Sequence, residues 1–153
     1  MRRLPATCLV AFLIAATAMG AGCGEGGVEG GATVSVYVAA PLCKGALTEL
    51  RHEGGEAGDL KVRAVCLAAT EHRGGADLAV AGADARRATE DSASVAFIEA
   101  PGRTARFARP IVESANIAFL AGASGGGSMR SVLRALEDRG SSSPRSAVLD
   151  QVG

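Results

Sequence analysis

Tryptophan is absent from this 153-residue chain, and Tyr37 is its single tyrosine. Aromatic residues make up only 3% of it, so stacking platforms for bases or sugars are poorly supplied. There is no excess of either charge: 16 lysines and arginines balance 16 acids. That argues against nucleic acid as a partner, which would favour a basic surplus. Histidine is scarce. His52 and His72 both lie in polar stretches, and no CxxC spacing accompanies them, so a metal ligand set is missing. The serines have no matched histidine and acid, which speaks against a hydrolase. "GASGGGS" lacks the Gly-Lys-Ser/Thr ending of a phosphate loop. Asp84, Glu90 and Asp91 read as helix solvation and a helix end. No enzyme and no cofactor is expected.

The N-terminus is better supplied. Arg2 and Arg3 precede an apolar run from Leu9 to Met19, followed by Gly20-Ala21-Gly22-Cys23. This is the layout of a secretory signal peptide over residues 1–22. The run is shorter than the roughly 20 residues a membrane span needs. Small residues ending at a cysteine resemble the lipobox of bacterial lipoproteins, with Gly20 where leucine is usual. The resemblance implies lipidation at Cys23 and an exported, extracytoplasmic protein anchored to the cell membrane. Loss of residues 1–22 removes two arginines and no acid, which leaves two more acids than bases. Residues 23–32 hold a glycine-rich stretch that buries almost nothing and reads as a flexible tether.

Cys43 and Cys66 remain. In an oxidising compartment a disulfide is the first expectation, with two separate buried thiols as the alternative.

From Thr33 onward, strand and helix signals alternate. "TVSVYVAA" (33–40) and "LKVRAVCL" (60–67) are rich in β-branched residues, and Ser94–Ile98 and Ile117–Leu120 are short apolar runs. Lys61 and Arg63 suit an edge strand. Helices are expected over Lys44–His52, over Leu78–Glu90 with Asp77 as its cap, and over Thr104–Ala115. The last has Phe107, Ile111 and Ala115 spaced by four, and contains Pro110. Asn116 suits a left-handed cap. "EGGEAGD" and "TEHRGGAD" read as turn and loop. Residues 125–153 read as a Gly/Ser-rich linker with C-terminal helices, one capped by Ser128 and one starting at Ser143-Pro144. The fold class is α/β: a mostly parallel four-stranded sheet with helices on both faces. Its strand exits gather at one rim.

"VSVYVAAPLCKGALTEL", "GADARRATEDSASVAFIEA" and "RPIVESANIAFLAGAS" resemble the first lobe of type 1 periplasmic binding proteins. The closest group is the substrate-binding lipoproteins of branched-chain amino acid ABC transporters. The resemblance covers about Val34 to Ser124. It implies strand order 2-1-3-4, a Cys43–Cys66 bridge and an amino-acid-like ligand held in the turns after strands three and four. Relatives show "GEFNSGAS" after strand three. Here "EAPGRTAR" puts Arg103 at the serine position, with Thr104 beside it. After strand four, Gly122 and Ser124 occupy binding positions. Relatives close a second lobe over the ligand and signal to a permease, whereas this chain has the length of one lobe. The expected function is a single-lobe binding or accessory module with weak or lost ligand affinity. A structural or protein-interaction lipoprotein and a truncated remnant are the alternatives. A homodimer would offer a second lobe to rebuild the cleft. Arg103, Arg106 and Arg109 form a basic stripe, read as a solvated helix face or as a contact for an acidic partner.

Overall fold

Residues 31–69, 71–72 and 75–152 are described by the computed structural model. The signal peptide, Cys23 and most of the tether lie outside them. The last tether residues are already tied to the fold: Gly31 donates to the Asp59 carbonyl and the Ala32 carbonyl accepts from Lys61.

Seven strands and five helices follow one another among the described residues. They are β1 (Thr33–Val38), α1 (Ala40–His52), β2 (Glu56–Ala57), β3 (Leu60–Cys66), β4 (Glu71–His72), β5 (Gly75–Ala76), α2 (Leu78–Glu90), β6 (Ser94–Glu99), α3 (Arg103–Glu113), β7 (Ala118–Ala121), α4 (Gly125–Glu137) and α5 (Pro144–Val152). The main sheet has five strands in the order β2-β3-β1-β6-β7. The four longer ones pair in parallel, and β2 adds antiparallel to β3. The sheet is therefore mixed and five-stranded, where a mostly parallel sheet of four strands was expected. The cause is local. Glycines with positive φ at Gly54, Gly55 and Gly58 turn the chain tightly enough for Glu56–Ala57 to pair back on β3. The expected loop at 70–77 likewise contains the antiparallel pair β4–β5.

Strand alternation builds two cores. Val34, Val36, Val38 and Ile98 face α1, α4 and α5, while Tyr37, Phe97 and Phe119 face α2 and α3. Phe97 and Phe119 stack with ring centroids 5.7 Å apart. The Asp77 side chain caps α2 by accepting from the amides of Ala79 and Val80, a contact worth about 1 kcal/mol. Ala81, Gly82, Ala85 and Ala88 form the buried face of α2. Helix α3 differs. Its buried face is Thr104, Ala105, Ala108 and Val112. Phe107 is instead 43% exposed, and its ring lies over Gly82 of α2, where a Cβ would come 3.0 Å from it. Small residues let α3 approach the Phe97–Phe119 stack, and a phenylalanine on that face would hold it off.

The glycine-rich segment is a helix, not a linker. Helix α4 starts at Gly125, and its cap is Ser124, whose hydroxyl accepts from the Gly127 amide at 3.3 Å. Ser128, the expected cap, sits one turn further along. Helix α4 packs on α1, where Gly125 meets the backbone of Leu42 and Ala46, and Gly45 meets Gly126. Asn116 adopts φ 55°, as its position after α3 predicts. Ser143 caps α5 through the Ser146 amide. Arg145 of α5 donates to the carbonyls of Ser94, Asp91 and Ser92 at the foot of β6.

Candidate functional site

Parallel strands put their carboxyl ends on one rim, and ligands of open α/β sheets gather where the strand order reverses. Here the order reverses between β1 and β6. Three turns meet at this rim: Ala39 leading into α1, Ala100–Gly102 leading into α3, and Gly122–Ser124 leading into α4. Cys43, in the first turn of α1, is joined to Cys66 at the exit of β3, with Cα atoms 5.6 Å apart. The bridge ties the start of α1 to the neighbouring strand.

The residues singled out from the sequence have different fates. Arg103 is exposed at the start of α3. Thr104, next to it, is buried. The Gly122 amide donates to the Glu99 carbonyl at 3.0 Å. A Cβ on Gly122 would fall 2.1 Å from the Ser128 hydroxyl, so this glycine makes room for α4. Ser124 is the cap of α4. Gly122 and Ser124 lie close together after β7, while Arg103 and Thr104 belong to the turn after β6. Two of the four groups expected to hold a ligand thus make hydrogen bonds within the fold, and a third is buried.

Sequence reasoning missed Glu99. It is buried at the carboxyl end of β6, and its side chain accepts from the Ala100 amide at 3.0 Å. The available signal was an acid closing an apolar run, "SVAFIE". It also missed the polar network at the opposite end of the sheet. Asp91 accepts from the Ala93 amide at 2.9 Å and from the Tyr37 hydroxyl at 3.1 Å, with Arg63 at 3.7 Å. Burial works against the charged form of Asp91. The hydrogen bonds and Arg63 outweigh it and hold the carboxyl below its usual range. This network joins β1 and β3 to the turn that leads into β6 and lies away from the rim.

A groove of about 690 Å³ runs beside β7. Arg109 and Phe119 line one side and Ser124, Ser128 and Ser131 the other. A second hollow, with Gly102 and Arg106, adjoins it through Arg109 and Ala121. The Arg109 guanidinium lies 4.8 Å from the Phe119 ring centre and pairs with Glu113 at 3.1 Å. Glu49, His52 and Glu53 of α1 also bring ligand atoms near one another. Glu49, however, is held by Arg130 at 2.5 Å, which leaves a poor set for a cation.

Asp84 has one carboxylate oxygen buried without a hydrogen-bond partner. Desolvation pushes its pKa up, against the pull of Arg87. A raised native pKa favours the protonated carboxyl in the fold. The stabilisation is therefore present below the ordinary aspartate pKa and is lost as pH rises through the raised one. Asp84→Asn is expected to raise neutral-pH stability by about 1 kcal/mol and to flatten the pH dependence in that window. Urea titrations of both proteins from pH 3 to 7 check this.

Compared with known proteins, the chain matches no family model, no curated protein and no solved structure.

Proposed function

We propose that this chain is an exported, lipid-anchored single lobe related to type 1 periplasmic binding proteins. It acts as a binding or accessory module whose small-molecule affinity is weak or lost, and it carries out no catalysis. The observation that carries this reading is the employment of the rim: the Gly122 amide bonds Glu99 and the Ser124 hydroxyl caps α4. A carboxylate ligand would have to displace the Gly122 bond, because that amide has a single proton to donate; the Ser124 hydroxyl accepts from Gly127 and keeps its own proton. The order of the four parallel strands agrees with the implied lobe, and the Cys43–Cys66 bridge suits an oxidising compartment. An open rim also buries too little of a small molecule for tight binding.

Calorimetry with leucine, isoleucine and valine is expected to show no heat of binding. Stoichiometric, tight binding of any of them by the monomer would overturn the reading. Export and anchoring are tested separately, by metabolic labelling with palmitate, which Cys23→Ala should abolish.

A further inference from the structure

The sheet ends on one side at β7, whose outer edge no strand covers among the described residues. The Gly122 amide bonds the Glu99 carbonyl of β6. Strand backbone groups alternate in direction, so those of residues 118 and 120 also face β6. The amides and carbonyls of Phe119 and Ala121 then point outward. An edge of this kind is a template for a further strand. We propose that the β7 edge takes up an extended acidic segment of a partner protein as a sixth strand of the main sheet. This rests on reading the lobe as an interaction module and names what it binds.

Charge selects the occupant. Arg106 and Arg109 flank the edge on the α3 side, and Arg103 and Arg106 have no acidic partner among the described residues. An added strand would alternate its side chains between these arginines and the opposite wall, made by Ser128, Ser131 and Val152. The preferred sequence therefore alternates acids with small apolar residues. A second copy of this chain is disfavoured by the same charges. Two-fold pairing of β7 with β7 keeps both α3 helices on one face of the joined sheet, so Arg106 and Arg109 would meet their own kind across the axis. The edge spans four residues, about 13 Å of strand, enough for a short linear segment.

The probe is a capped hexapeptide alternating glutamate and valine, with its lysine–valine counterpart as control. The glutamate peptide is expected to bind at least about tenfold tighter than the lysine one and to slow hydrogen exchange at Phe119 and Ala121. Ala121→Pro removes an outward-facing donor that no bond among the described residues uses, so the fold should persist while binding is lost. Arg106→Glu, at an exposed position, should also weaken the glutamate peptide about tenfold and keeps the test alive if the proline variant fails to fold. Equal binding of both peptides, or indifference to Arg106→Glu, overturns the proposal. So does a peptide-free dimer in sedimentation, which would assign the edge to a second copy. Heat from a branched-chain amino acid would sink the preceding reading and leave this peptide result standing, so the two fail separately.

Discussion

Gly125→Ala is expected to destabilise the protein by about 3 kcal/mol. A Cβ at this position would fall 1.9 Å from the Leu42 carbonyl oxygen and 3.0 Å from the Ala46 nitrogen. Both are helix backbone, so no side-chain rotation relieves the clash. Helices α1 and α4 would have to separate, and Met129, Val132 and Leu136, all buried at that interface, would lose their packing. The control is two residues away. At Gly127 the nearest atoms to an added Cβ belong to the Ser124 side chain, at 3.8 Å. Gly127→Ala should be neutral, or stabilising by up to about 1 kcal/mol through helix propensity. Urea unfolding of the two variants, with unchanged slope and opposite shifts of midpoint, is the measurement. If both behave alike, the close crossing of α1 and α4 is not where the stability lies.

The second large effect is expected from the disulfide. Cys43 and Cys66 are separated by 23 residues, and closing a loop of that size restricts the unfolded chain by about 3 kcal/mol. Cys66→Ser is the cleaner variant, because Cys66 is exposed while Cys43 packs in the core beside Leu42 and Ala46. It should lower the melting temperature by about 10 °C. Reductant should lower the parent protein by a similar amount and leave the variant unmoved. A parent indifferent to reductant would show that the bond contributes nothing to stability.

Much of this fold was legible in the residues. β-Branched runs marked the first two parallel strands and short apolar runs the other two, Asp77 and Ser143 marked helix starts, and Asn116 marked a left-handed stop. Helix α4 was not legible at its start, for a physical reason. Three successive glycines each cost roughly 1 kcal/mol in a helix, so locally they read as loop. What overrides this is distant in sequence, the backbone of α1 around Leu42 and Gly45. The serine that caps the helix then moves from 128 to 124, and with it one of the expected ligand groups becomes structural. Gly122 follows the same logic: its lack of a side chain makes room for Ser128, a contact invisible until α4 is placed. Helix α3 misled through size. Phe107 was the largest apolar residue at helical spacing, yet it stays exposed to solvent, while Ile111 and Ala115 of the same spacing are partly buried against the core. The strand order implied by the resemblance already places β7 at an edge; the side chains that flank it, from α3 and α4, come together only in the fold.

Arg145 has a consequence for how the molecule comes apart. From α5, on one side of the sheet, it grips three carbonyls in the turn that brings the chain out of α2, on the other. The two layers of helices are thereby fastened together at the foot of β6. Neither can peel away while its counterpart stays intact, and so heating should melt them in a single step.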